Sequence, residues 1–282
     1  MPQKTIELLQ SACVANLESK YRKGNIIYLG ETGDIIITGD IHGHRRNFER
    51  VVSFADLDNN PQRHLILQEI IHGGPMDHKG GCLSYELLFD VLRYKLKYPD
   101  QVHIILSNHD TSFICDSEVM KDGREMNLAM RLALDDKFNG RSEDIKQAIG
   151  EYLLSQPLAV KCDNGLWMSH SLPAERNWAK FDDAIFERKI ELDDLARTGS
   201  VYLLTWGRKQ SQKLLDDAAE KLGAKTFVLG HQSQPEGWIK AGENLIIIAS
   251  DHNHGCLINC DLDKSYTADE LIDEIVALSS IQ

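Results

Sequence analysis

The chain has no apolar run long enough to span a bilayer, and Met1-Pro2-Gln3-Lys4 leads into an amphipathic segment instead of a signal peptide. The reading is therefore a cytoplasmic protein with no membrane partner. It also lacks any CxxC pair. Its six cysteines, Cys13, Cys82, Cys115, Cys162, Cys256 and Cys260, are scattered, which predicts buried free thiols in a reducing compartment and removes support for a zinc knuckle. Positive charge is short as well: 31 Lys and Arg face 43 Asp and Glu, a net charge of −12. That argues against a general nucleic-acid or anionic-membrane surface. It gives no long-range attraction for phosphorylated substrates either, so any anion site must be made locally, by metals or a few cations. No internal repeat, low-complexity tract or linker divides the chain. Ser169 and Ser171 lack the flanking glycines of a nucleophile elbow, which argues against a serine hydrolase.

What is present is an ordinary globular composition, 42% hydrophobic and 26% charged over 282 residues, and a high count of eleven histidines. Apolar spacing predicts a helix over 4–20. Runs at 25–29 and 34–38 flank Gly30-Glu31-Thr32-Gly33 and read as a hairpin. A helix over 45–57 follows, then a strand at 63–69. The glycine- and proline-rich stretch 70–81 reads as loop. Ser84 is placed as the N-cap of a helix over 85–97, and 102–106 is the next strand. Two helices divided at Asn139-Gly140 occupy 123–155, and a hairpin turns around Asp163-Asn164. Residues 174–224 read as mostly helical. Strands at 225–229, 236–240, 244–250 and 256–261 precede a helix near 267–279.

The ends of these strands carry the chemistry. The run Ile35-Ile36-Ile37-Thr38 stops at Gly39-Asp40-Ile41-His42-Gly43, the strand at 63–69 stops at Glu69, and that at 102–106 meets Ser107-Asn108-His109-Asp110. Single histidines, His170 and His231, follow two later strands. Three strands ending in ligand-capable residues, each followed by a returning helix, predict a layered α/β sheet with its site at one edge. Clusters spread from residue 40 to residue 231 require one domain, taken here as residues 1–282. Carboxylate, imidazole and amide-oxygen donors without thiolate suit manganese, iron or zinc. Two carboxylates and three or four imidazoles suffice for two ions, which at roughly 3.5–4 Å apart would deprotonate a shared water and clamp an in-line phosphoryl displacement.

These motifs, Gly39–Gly43, Ser107–Asp110, Met168-Ser169-His170 and Gly230-His231-Gln232, resemble the phosphoprotein phosphatase family of calcineurin-like metallophosphoesterases. That family carries signatures of the form GDxHG, GDxxDRG and GNHE, then two isolated histidines. The likeness covers roughly residues 33–262 and implies a β-sandwich flanked by helices. It also implies hydrolysis of phosphomonoesters by a metal-bridging hydroxide, as in the serine/threonine protein phosphatases. By that resemblance Asp40 and His42 bind one metal, Asn108, His170 and His231 the other, and His109 protonates the leaving oxygen. A general acid needs a carboxylate to hold it protonated; Asp77 is placed in that role, with Asp110 as the second choice.

The second signature departs from the pattern. One partial match, Gln68-Glu69, keeps an acid at the strand end; the other, Gly73–Gly80, puts Gly74 where the bridging aspartate belongs. Glu69 is taken as the bridge, 70–81 as an inserted loop and His72 as a possible extra ligand. The family's arginines are missing at His78-Lys79 and Leu106. Arg208 lies between the two isolated histidines, where the family keeps another phosphate-contacting arginine, and is able to form a bidentate guanidinium pair. His252 and His254 are weighed as substrate-lining residues, His44 as a supporting one, and His64 and His103 as core or edge histidines. The substrate class is left between a phosphoprotein, a small phosphomonoester and a dinucleoside polyphosphate, with no regulatory subunit specified. A scaffold that has lost catalysis is the rival.

Overall fold

The computed structural model describes residues 2–121 and 123–282. Two sheets face each other. One has five strands, in the order Ile275–Ala277, Cys256–Asp261, Asp34–Asp40, His64–Gln68, Val102–Ile105. The other has seven, with Leu166–Ser169, Thr226–Leu229 and Leu245–Ile248 side by side.

Side chains alternate across each strand, and this alternation divides the core. Ile35 and Ile37 point between the sheets, where they meet Val160, Met168, Val228 and Ile246 of the opposing sheet. Ile36 points the other way, onto a helical layer that includes Leu9, Val51, Leu88 and Ile149. The far face of the seven-stranded sheet, with Trp167, Phe227 and Ile247, is covered by Val201, Leu204, Leu215 and Ala218. The result is a sandwich with helices on both outer faces. Each fully buried isoleucine contributes roughly 1.5–3 kcal/mol to this packing.

Asp34–Asp40, His64–Gln68 and Val102–Ile105 are parallel, so Asp40, Glu69 and Asn108 emerge at one edge. Leu166–Ser169 and Thr226–Leu229 are parallel in the other sheet and deliver His170 and His231. The two edges are drawn together by an isolated bridge between Asp40 and Ala249, with Gly39 N donating to Ser250 Oγ at 2.9 Å. A Cβ on Gly39 would lie 2.1 Å from the Ile248 carbonyl oxygen, so only glycine allows this approach.

Several local expectations change. Ile26–Leu29 and Asp34–Asp40 form no hairpin: the first pairs in parallel with Ala159–Cys162, and the turn at 30–33 carries the chain from one sheet to the other. Ser84 is the first residue of the helix Ser84–Lys97 and not its cap; its Oγ accepts from His72 N at 3.0 Å instead. The 174–224 stretch is broken into short helical pieces, the longest being Gln212–Leu222. At the C-terminus the helix ends at Ile272, and Ile275–Ala277 pairs with Cys256–Ile258 as an edge strand. All six cysteines are free. Among the described residues, no helix is long and apolar enough to cross a membrane.

Candidate metal centre

Asp40, His42, Glu69, Asn108, His109, Arg208 and His231 line one cleft of about 780 Å³, and the fully buried His170 lies against Asn108 and Glu69. Glu69 lies at the centre. Its backbone turns into the left-handed region (φ 49), where its carbonyl accepts from His42 N at 2.7 Å and Ile41 N at 3.2 Å. The extra methylene of a glutamate then carries the carboxylate inward. Oε1 accepts from Ser107 Oγ at 2.7 Å and from His109 N at 3.2 Å. Oε2 lies 3.0 Å from His170 Nε2 but makes no hydrogen bond of good geometry and is fully buried.

Asn108 Oδ1 is the second focus. It lies 2.7 Å from His170 Nε2 and 3.0 Å from His231 Nδ1. The helix Asn108–Ile114 presents this amide through a capping box in which Ser107 N donates to Asp110 Oδ2 at 3.0 Å. Asp40 Oδ1 accepts from His231 N at 2.9 Å, and its Oδ2 lies 3.7 Å from His42 Nε2.

The imidazoles are oriented from behind. His42 Nδ1 is 3.2 Å from the Ile71 carbonyl, so it carries the proton and leaves Nε2 free toward Asp40. His170 Nδ1 donates to Gln68 Oε1 at 2.8 Å, while Gln68 Nε2 donates to the Thr38 carbonyl at 2.8 Å, which fixes the amide's orientation. Such partners set the tautomer of a metal-binding histidine, and their loss typically costs about 10–100-fold in metal affinity. Gln68→Leu, a swap that preserves much of the buried volume, is accordingly expected to weaken divalent-ion binding by about that factor in a calorimetric titration. Unchanged affinity would reduce Gln68 to a packing residue.

The electrostatics favour a cation. Asp40 and Glu69 are both buried, and among the described residues no Lys or Arg pairs with either. Burial raises Asp40 above the usual carboxylate range. Burial also opposes ionisation of Glu69, but His109 and His170 outweigh it and hold that carboxyl well below its ordinary value. Burial lowers His170, yet Glu69 and Asp40 together leave it raised. Two buried acids answered only by imidazoles remain undercompensated. His42, Glu69 and His109 present ligand atoms within 4.8 Å of one another, as do Asp40, Glu69 and His170. Glu69 belongs to both groups. Oxygen and nitrogen donors, an orphaned Glu69 oxygen and excess negative charge fit hard or borderline divalent ions.

The structure does not bring Asp77 to this cleft. Its carboxylate is turned into its own loop, where Oδ1 accepts from Lys79 N at 2.7 Å and Gly81 N at 2.8 Å. Asp110 is committed to Ser107, and burial pushes it up to about 7. The group facing His109 is His72, fully buried, with the two Nδ1 atoms 3.1 Å apart. Burial lowers His109 to about 3 and takes His72 well below its ordinary value.

The register explains this. Aligned on Glu69, the run Gln68-Glu69-Ile70-Ile71-His72-Gly73-Gly74 follows GDxxDRG without interruption. His72 falls on the signature's second aspartate, Gly73 on its arginine and Gly74 on its closing glycine. By this count the signature runs unbroken through Gly74 and needs no insertion at 70. Gly73 (φ 153) packs against the His42 carbonyl, where a Cβ would come within 2.3 Å, so no arginine fits there.

Other histidines are placed away from the ligand cluster. His64 and His103 form a buried pair, 3.2 Å between ring nitrogens. His44 accepts from Asn47 N as a helix cap. His252 lines the outer cleft, its Nε2 donating to the Gln234 carbonyl at 2.9 Å, while His254 is exposed. Arg208 is exposed, and its Nε donates to His231 Nε2 at 3.1 Å. Gln68 and Ser107 are the supporting residues that sequence reasoning gave no role.

Comparison with known proteins agrees with this fold. No curated protein matches the chain. Among solved structures, a serine/threonine phosphatase from Saccharomyces cerevisiae with similarity to human phosphatase PP5 superposes with a TM-score of 0.64 at 14% identity, covering 93% of this chain and 83% of that one. A cold-active protein-tyrosine phosphatase from a psychrophilic Shewanella species gives 0.58 at 16% identity, covering 93% and 85%. At these identities the likeness is one of fold. The sequence profile described as calcineurin-like phosphoesterase spans residues 33–255, from the strand that delivers Asp40 to the loop beyond the Asp40–Ala249 bridge, and the chain belongs to that family.

Proposed function

We propose that the protein is a binuclear metallophosphatase that hydrolyses phosphomonoesters, with manganese as the preferred ion and zinc or iron as substitutes. The observation that carries this reading is that Glu69 belongs to both clusters of ligand atoms, that of His42, Glu69 and His109 and that of Asp40, Glu69 and His170, while Asn108 Oδ1 lies 2.7 Å from His170 Nε2 and 3.0 Å from His231 Nδ1. In this assignment Asp40, His42 and Glu69 hold one ion, and Glu69, Asn108, His170 and His231 the other. Ions held there supply an activated water and offset phosphoryl charge.

The chain's own residues do the rest. Gln68 and the Ile71 carbonyl keep His170 and His42 in ligating tautomers. Ser107 holds one oxygen of Glu69 and leaves the other, buried beside His170 Nε2, without a hydrogen bond. His109 is the proton donor to the leaving oxygen, positioned by His72. Arg208 lines the cleft, donates to His231 Nε2 through Nε, and takes the phosphate with its remaining guanidinium N–H groups. We place the reaction in the cytoplasm, within one catalytic unit formed by the whole chain.

Purified protein is expected to bind close to two divalent ions per chain by elemental analysis and to hydrolyse p-nitrophenyl phosphate only when loaded. A folded protein that binds no transition metal would favour a scaffold on the same fold.

A further inference from the structure

Beside the metal cleft lies a second groove of about 750 Å³, and Arg208 lines both. Its walls carry Arg176, Arg197 and Lys209 as well, all exposed. In a chain of net charge −12 this concentration needs a reason. Three other cations in this part of the chain are neutralised: Arg188 pairs with Asp194, Lys213 with Asp217 and Lys221 with Asp183. Arg176, Arg197, Arg208 and Lys209 form no salt bridge among the described residues. Glu175 is the one acid on the groove wall.

We propose that this groove binds acidic residues flanking the phosphorylated residue of a peptide substrate, so that the enzyme selects acidic phosphopeptides. The inference rests on the phosphomonoesterase reading and adds the substrate class. The cations come from separate pieces of chain: Arg176 from the turn of helix Glu175–Lys180, Arg197 from the segment before Ser200–Trp206, and Arg208 and Lys209 from the segment after it. Four cations delivered by three segments of chain offer an extended acidic peptide several separate points of attachment. The aromatic residues there do not form a base slot. Tyr202 and Trp206 stack on each other, 5.5 Å between centroids at 16°, and Trp206 also meets His231 edgewise. Exposed complementary charges act on encounter and selectivity more than on intrinsic chemistry, so the effect belongs in KM.

The test uses metal-loaded wild type and an Arg176→Ala/Arg197→Ala double variant, whose changes are both on the surface. Substrates are two phosphopeptides with the same phosphoresidue flanked by glutamates or by lysines, ATP, and p-nitrophenyl phosphate as a control that does not reach the groove. Wild type is expected to prefer the glutamate-flanked peptide by about tenfold in kcat/KM, mainly through KM. The double variant and added salt should erase that preference while the control rate stays unchanged. Anisotropy of the labelled glutamate peptide, read without turnover, should show the same loss of binding in the variant. Absence of flank preference, or a preference that survives the double variant, overturns the proposal while p-nitrophenyl phosphate turnover upholds the phosphatase reading. ATP cleavage that depends on Arg176 and Arg197, with indifferent peptides, overturns it in favour of a small polyphosphate. No turnover of p-nitrophenyl phosphate by wild type overturns the phosphatase reading and this one with it.

Discussion

Glu69→Ala is expected to abolish phosphatase activity, by about 10³-fold or more, and to lose at least one bound ion per chain. Removing a shared ligand forfeits the charge stabilisation that an ion gives the reacting phosphoryl group, several kcal/mol, and each 1.36 kcal/mol is about tenfold in rate. Glu69→Asp tests the geometry separately. The backbone at Glu69 is pinned by His42 N and Ile41 N, so it cannot advance to compensate for a shorter side chain. The aspartate carboxylate would be withdrawn by about one C–C bond, roughly 1.5 Å, and would give up the Ser107 and His109 contacts. Activity is expected to fall nearly as far as in the alanine variant. Stability distinguishes loss of a ligand from loss of the fold. Glu69 is held ionised by His109 and His170 and accepts from Ser107 Oγ and His109 N, so without metal the alanine variant should still unfold cooperatively but at a lower Tm than wild type. What it should lose is the upward Tm shift on adding manganese, because that shift comes from binding to the native state alone. A variant that retains both ions and turnover would remove Glu69 from the centre of the site.

The readable part of this molecule is the part encoded by short local patterns. A strand that ends at Asp40-Ile41-His42-Gly43 needs no distant partner to be recognised, and neither does Asn108-His109 behind a short apolar strand. Parallel strands then bring such ends to one edge, so the positions of Asp40, Glu69, Asn108, His170 and His231 could be anticipated together. The layering was legible for the same reason: alternate isoleucines in Ile35–Ile37 require a core on both faces.

What was not legible depends on partners far away in sequence. The glycine turn at 30–33 has hairpin chemistry, but Ile26–Leu29 finds its neighbour in Ala159–Cys162, a pairing no local signal encodes. Leu271, Ile272, Ile275 and Val276 are spaced like a helix face, yet the exposed edge of Cys256–Asp261 recruits Ile275–Ala277 as a strand. Asp77 looked like an acid in the right loop; its carboxylate is consumed by turn amides two and four residues on, as short acids in loops commonly are. Gln68 stood in plain view beside Glu69, but its role depends on His170, 102 residues later. His72 was recoverable. Counting the second signature from Glu69, with no insertion, assigns it to the acid's place.

That substitution leads to the second large expectation. A carboxylate beside a catalytic imidazole raises its pKa by about 1–3 units, whereas a neutral imidazole gives no such support. With His72 in the acid's place and burial holding His109 down near 3, the proton available to a leaving oxygen at neutral pH is scarce. The enzyme should therefore discriminate steeply by leaving group, cleaving p-nitrophenyl phosphate far better than an alkyl phosphate. His109→Ala should cost about 10²–10⁴-fold on the alkyl ester, the usual value of general-acid assistance, and much less on the nitrophenyl ester, whose oxygen leaves unprotonated. His72→Asp should act in the opposite direction. The new carboxylate stabilises the His109 imidazolium, so the protonated fraction at a given pH rises, and the alkaline decline of kcat for the alkyl ester should move up by a pH unit or more. The nitrophenyl profile should hardly move, and bound metal should stay near the wild-type count. If His72→Asp instead lowers metal content and suppresses both substrates equally, His72 is a ligand and not the partner of His109.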